Sequence, residues 1–316
     1  MLKRRLGVDA SPAAIFGKSD LIIEVENEEV GKYERGSPEW ALFRDACEWD
    51  SSLRQLLTEV GIDPRDPVTN NIKLRDSLIR KAKPVAILRS AFIKGVEAGK
   101  VVRRSRKLGT IYYGREAVYR VSDGNPRRLI GILGDLCDSL ENGKDGKVSK
   151  LPANVQAEVL TRASLHFSGY VHALPGGVTP LEGNRIDLTT LLRVIGDYFR
   201  GRMFGTKFEL DPVGSFRVDS NIKDEVLELL RVGVYHGALV YVDPIPDTIE
   251  TSLRGKRFRL SYMLSPLLKL PLNLHDPVSL STILRASGRI RVKRALSAMF
   301  AQQEFDLDPT KKDATN

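Results

Sequence analysis

Apolar residues recur at intervals of three and four along most of this chain, and the breaks in that rhythm mark its elements. Ser37 precedes Pro38, and Trp40, Phe43, Ala46 and Cys47 follow at helical spacing, so Ser37 caps a helix with proline at its first position. Leu53, Leu56 and Leu57 predict a second short helix ending at Gly61, and residues 62–71, with Pro64, Pro67 and two adjacent asparagines, read as a loop. From Ile72 the spacing of Leu74, Leu78 and Ile79 predicts a helix that breaks at Pro84 and resumes through Leu88, Ala91, Phe92 and Val96. A basic loop, Arg103 to Lys107, follows. A short helix spans Glu116 to Val121. The turn Ser122-Asp123-Gly124-Asn125 then introduces Pro126 and a longer helix carrying Leu129, Ile130, Leu133, Leu136 and Leu140 on one face.

Residues 1–35 lack this periodicity. Leu21, Ile22, Ile23 and Val25 resemble a short buried strand entering an acidic loop, so the chain begins like the middle of a domain, and this segment is expected to be poorly ordered or to expose apolar surface. The polar stretch Glu141 to Lys150 is the best domain boundary. Beyond it come helices at Pro152 to Tyr170, Leu188 to Phe199 and Ile222 to Val234, then strands at Leu239 to Val242 and Phe258 to Leu264. Three helices followed by a two-stranded hairpin is the element order of a winged helix, with Asp243 to Lys256 as its wing. Leu280 to Phe300 predicts one more basic helix, interrupted at Gly288, and the polar tail after Gln303 is expected to be disordered. The predicted fold is therefore mainly α with a small β component. Its parts are 1–35, a strand-and-loop remnant; 36–143, a helical domain; 144–303, a winged-helix domain; and 304–316, a tail.

Composition narrows the class. With 42% hydrophobic and 28% charged residues the chain can bury a core. The two cysteines, Cys47 and Cys137, fit neither a disulfide framework nor a zinc site, and a reducing cytoplasm fits best. No apolar run suits a secretory signal or a membrane span. The net charge of +9 favours a polyanionic partner, and its distribution is uneven. Asp20 to Asp50 holds ten acidic and three basic residues, whereas Lys73 to Lys107 holds twelve basic and two acidic and Arg254 to Arg294 ten basic and one acidic. The last two segments are the candidate anion-facing surfaces.

The sharpest chemical signal is Gly124-Asn125-Pro126-Arg127. A turn of this kind before a proline-started helix aims backbone N–H groups and a permanently charged, planar guanidinium at an anion, although a capped helix with a solvated arginine fits the same four residues. No phosphate-binding loop of the form GxxxxGK[ST] is present. The one GKS is Gly17-Lys18-Ser19, the position five before Gly17 is Pro12, and the residues after it are strand-like rather than helical. His166, His172, His236 and His275 make no metal-binding pair, and no nucleophile elbow or cysteine–base pair is evident, so catalysis by this chain alone is not expected.

The third helix of the expected winged helix is acidic: Asp224, Glu225 and Glu228 outnumber Lys223 and Arg231, making it a poor reader of a major groove. The hairpin differs, because Arg254, Lys256, Arg257 and Arg259 cluster there. They could hold DNA phosphates or simply form a solvated hairpin end. Phe167, Tyr170, Tyr198, Phe199, Tyr235 and Tyr241 stand at core spacings and are expected to pack rather than to stack on bases.

The stretch Tyr112 to Leu136, with its GNPR turn, resembles the lid of origin-recognition-complex-like AAA+ ATPases, and the later element order and Arg257 to Leu274 are similar to bacterial members. The resemblance implies that Arg127 is the sensor 2 arginine that touches the nucleotide γ-phosphate from the lid, with Gly124 and Asn125 shaping its turn, and that the role falls to Arg127 rather than Arg128. It further implies DNA as a partner of the winged helix. A P-loop ATPase core or homologous subunit would hold ATP and magnesium, because this chain alone is expected to bind neither. A stand-alone winged-helix regulator and a protein-interaction adaptor that binds no nucleic acid are the competing readings.

Overall fold

The computed structural model describes residues 12–19, 21–22, 33–65, 72–97, 99–104, 110–141, 150–174, 178–181, 184–243 and 252–288. Several sequence expectations therefore lie wholly or largely outside the described residues: the strand at 23–25, most of the basic loop at 103–107, the boundary at 142–149, the wing at 244–251, the helical continuation beyond Gly288 and the tail.

The chain opens on a short helix, α1 (Pro12–Phe16), which the sequence pattern did not predict. Ile15, Phe16, Leu21 and Ile22 are each no more than 5% exposed. The expectation that this segment exposes apolar surface is corrected at these residues. Their seat is built by Gln156, whose side-chain amide donates to the carbonyls of Phe16 and Leu151 and whose oxygen accepts from the Gly114 N–H. Gly114 takes a φ of +92°, and a Cβ there would lie 2.5 Å from the Ser19 nitrogen, so only glycine admits the approach.

α2 (Pro38–Trp49) starts as the sequence indicates, with the Ser37 hydroxyl accepting from the Trp40 N–H at 3.2 Å. Asp50 ends α2 through its own N–H and starts α3 (Ser51–Glu59) by accepting from the Ser52 N–H. α4 (Ile72–Phe92) runs unbroken through Pro84, contrary to the predicted interruption. Proline removes one hydrogen bond at about 3 kcal/mol. The face carrying Leu78, Ile79, Ala82, Val85, Ala86, Leu88 and Phe92 is buried, and that burial outweighs the loss. The predicted helical run to Val96 is instead a hairpin, β1 (Ile93–Glu97) and β2 (Lys100–Arg103), in which Val96 faces Val101 and Gly99 turns at φ +70°. Three valines in this stretch favour strand, and its two glycines disfavour helix, Gly99 supplying the turn.

α5 (Arg115–Val121) and α6 (Pro126–Glu141) follow, then α7 (Ala153–His172). A hairpin of β3 (Val178–Leu181) and β4 (Asn184–Asp187) leads into α8 (Leu188–Met203), capped by Asp187. β5 (Ser215–Arg217), α9 (Asp224–Tyr235), β6 (Leu239–Tyr241) and β7 (Arg257–Leu260) come next. The chain continues through α10 (Ser265–Leu268), β8 (Pro277–Ser279) and α11 (Leu280–Gly288). β6, β7, β5 and β8 form one sheet in that order, antiparallel except between β5 and β8. The three helices and β6 stand where the periodicity put them, but the second predicted strand, Phe258 to Leu264, ends at Leu260 and gives way to a 3-10 turn over Tyr262–Leu264, started by the Ser261 hydroxyl accepting from the Met263 N–H. The three- and four-residue strands β3, β4, β5 and β8 were too short to leave a pattern.

Buried polar contacts tie the first half to the second. Arg89 and Asp50 are both fully buried and 2.7 Å apart, and Arg89 also donates to Ser52 Oγ and to the carbonyls of Met203 and Gly205. The buried Tyr112 hydroxyl donates to the Leu270 carbonyl at 2.8 Å. Lys269, at a left-handed φ of 60°, sits over the Phe92 ring; burial, then Arg200 and Arg103, pull its pKa down.

Candidate nucleotide-sensing turn and nucleic-acid interface

The turn before α6 is built from two residues of positive φ, Asp123 at 53° and Gly124 at 70°, which bring Asn125 to the helix start. Asn125 Oδ1 accepts from the N–H groups of Arg127, at 3.0 Å, and Arg128, at 3.3 Å. Pro126 has no N–H to satisfy. The turn is thus a capped helix start, with its two nearest free donors bound to the asparagine side chain.

Arg127 and Arg128 leave this turn in different directions. Arg127 is exposed, and its side chain has no hydrogen bond, ion pair or ring contact among the described residues. Arg128 is drawn inward: it donates to the carbonyls of His236 and Gly237, each at 3.2 Å, and to Ser261 Oγ, and lies 4.2 Å from the Phe167 ring centroid. Burial lowers its pKa, opposed by the carboxylate of Asp123.

Sequence reasoning missed Asp123. Its side chain is 5% exposed and receives the Arg259 guanidinium at 2.9 Å, the Tyr262 N–H at 3.2 Å and the Ser261 hydroxyl, with Arg128 at 3.6 Å. One carboxylate therefore fastens the turn before α6 to the strand β7 and the residues after it. The signal was present in its type, because aspartate is among the few residues that tolerate a left-handed conformation. Its long-range partners were not legible.

The four basic hairpin residues are divided. Arg259 is held by Asp123, with its guanidinium 3.8 Å from the Tyr262 ring centroid and its side chain only 15% exposed. Arg257 donates to Ser215 Oγ at 2.9 Å and to the His275 carbonyl at 2.8 Å. Both guanidinium groups are committed to the protein. Arg254 instead reaches the solvent-exposed start of α9, bonding the carbonyls of Ser220 and Ile222 and the carboxylate of Asp224. Lys256 is half-buried beside it. Arg254 too is held by its own chain, its side chain 37% exposed, and Lys256 has contacts of its own. Asp224, Glu225 and Glu228 are exposed on α9, as their sequence spacing implies.

At Gly17-Lys18-Ser19 the chain leaves a helix rather than entering one, and the Ser19 N–H donates to the Glu116 carboxylate at 3.1 Å. A carboxylate occupies the donor that a phosphate cradle would need. Among the described residues no group of three or more histidine, cysteine or acidic side chains is placed to hold a metal. Cys47 and Cys137 are buried and form no disulfide, and burial pushes the Cys47 thiol up to about 12. No helix is long and apolar enough to cross a membrane among the described residues.

The aromatic residues do not behave as one group. Phe167 and Phe199 are buried as expected, but Tyr170 is 50% and Tyr235 86% exposed, so the expectation that these two tyrosines pack in the core is corrected. Both lie at helix ends, where the apolar face meets solvent.

No curated protein and no solved structure matches the chain. A model of the ORC-CDC6-like family matches residues 2–280. That span covers well over half of the sequence, and the chain belongs to the ORC-CDC6-like family.

Proposed function

We propose that this chain is a non-catalytic portion of an ORC-CDC6-like AAA+ assembly, offering a sensor 2 arginine to a nucleotide held by a separate P-loop core and a basic hairpin to duplex DNA. The observation that carries the reading is the exposed, uncommitted guanidinium of Arg127 at a capped helix start, beside an Arg128 fully engaged by its own chain. On this reading Gly124 and Asn125 set the geometry and Arg127 supplies the charge. α7, α8, α9 and the β6–β7 hairpin act as a winged helix, supported by their order, with Arg254 and Lys256 toward phosphates. Arg257 and Arg259 hold the hairpin in place for that contact.

A lone arginine without a cradle supplies little affinity. Calorimetry on the purified chain should give magnesium–ATP binding no tighter than about 4 kcal/mol, and no hydrolysis. Micromolar affinity or turnover would show a complete nucleotide site and defeat the proposal. A protein-adaptor reading draws support from the exposed acidic face of α9, and failure of duplex DNA to bind at low salt would favour it.

A further inference from the structure

The rings at the ends of α7 and α9 take no part in the lid or the hairpin. Tyr235 is 86% exposed, its centroid 5.0 Å from that of His236. His236 lies 5.7 Å from Tyr170, whose hydroxyl hydrogen-bonds His236 Nδ1 at 2.7 Å, and Tyr170 stacks 6.3 Å from the buried Phe167. The inner end of this series is anchored by Phe167 and the Arg128 guanidinium beside it, and its middle by the Tyr170–His236 hydrogen bond. The outer rings are held in order yet left in water, which gains little from apolar burial.

Cations flank them. Arg162, His166 and Tyr170 are exposed at successive intervals of four along α7, and so share one ridge. Arg231 and Tyr235 are likewise four apart and exposed on α9. Glu228 pairs with Arg231 at an exposed position, where an ion pair is weak enough for a phosphate to replace it.

We infer that this strip binds single-stranded nucleic acid, with bases on Tyr235, His236 and Tyr170 and phosphates on Arg162 and Arg231. The rings meet edge to face, at interplanar angles of 81° and 67°, so their faces point in different directions and each suits a separate base of an unstacked strand. A duplex hides its base faces and cannot use the rings this way. The charged flanks, Arg162 and Arg231 with Glu158 and Glu228 beside them, disfavour an apolar protein partner. The inference uses neither Arg127 nor the hairpin and stands apart from the proposed function.

The test is fluorescence anisotropy of a labelled oligothymidine and of a labelled duplex with the full chain at low salt. Tyr235→Ala should weaken oligothymidine binding by about tenfold, while Tyr235→Trp restores it. Duplex binding and the thermal midpoint should be unchanged in both variants, since the ring is almost wholly in solvent. Absence of oligothymidine binding, an unaffected Tyr235→Ala variant, or parallel losses for strand and duplex would each overturn the assignment and leave the strip to a protein partner.

Discussion

Arg127 and Arg128 are adjacent on one helix and stand in opposite environments, the first in solvent without a side-chain partner among the described residues, the second enclosed by Phe167, His236, Gly237 and Ser261. Consecutive helical residues point about 100° apart, so a single turn presents one guanidinium outward while using the next to fix its own position. Arg128 thereby acts as a positioning residue for the turn.

Replacing Arg128 with alanine should lower unfolding stability by about 2–4 kcal/mol, since charged hydrogen bonds and a ring contact are lost together and two carbonyls are left unpaired. Arg127→Ala should leave the urea midpoint within error. Equal midpoints for the two variants would contradict the division of roles.

Arg89 and Asp50 form a fully buried pair that joins the start of α3 to the end of α8. Removing either charge alone strands the other in the interior. Arg89→Met should cost about 3–5 kcal/mol in urea unfolding, and adding Asp50→Asn should recover part of that loss. Additive losses in the double variant would mean that the two charges are not coupled.

The longer helices and the β6 and β7 strands were legible because each carries an apolar face or an alternating run, whereas α1 and α10, of five and four residues, are too short to show a period. Ser37, Pro38 and Pro126 set helix starts by local chemistry, which sequence reports well. Pro84 misled, because its penalty is local and the burial of its helix is not. Arg257 and Arg259 looked identical to Arg254 along the chain. What separates them is the placement of Ser215, His275 and Asp123, which lie 42, 18 and 136 residues away along the chain, about which spacing is silent.

His275 gives a pH dependence. Its Nε2 is buried without a hydrogen-bond partner, and burial lowers its pKa, opposed by Asp211 and Asp276. A base whose folded pKa is depressed resists protonation in the native state. Its stability contribution is full above the unfolded value of about 6.5 and is lost as pH falls from there through the folded value. The urea midpoint should therefore fall between about pH 7.5 and about pH 5, and His275→Gln should show a smaller fall. An identical fall in the variant would remove His275 as a cause.

For the hairpin, alanine at Arg254 and Lys256 together should weaken unrelated duplexes alike and flatten the slope of log affinity against log salt by about two units. Arg259→Ala should instead lower stability, because it leaves the buried Asp123 carboxylate with fewer donors. A sequence-dependent loss, or a full slope in the Arg254/Lys256 variant, would speak against phosphate contact there.

The lid assignment is tested most directly by the backbone amide resonances of Gly124, Asn125, Arg127 and Arg128 in a titration with millimolar magnesium–ATP. Shifts concentrated at Gly124, Asn125 and Arg127, and abolished by Arg127→Ala but not by Tyr235→Ala, are the result this account predicts. An Arg127→Ala variant whose shifts match those of the unaltered chain, or perturbations that bypass the turn altogether, would contradict the claim that Arg127 reads nucleotide phosphate.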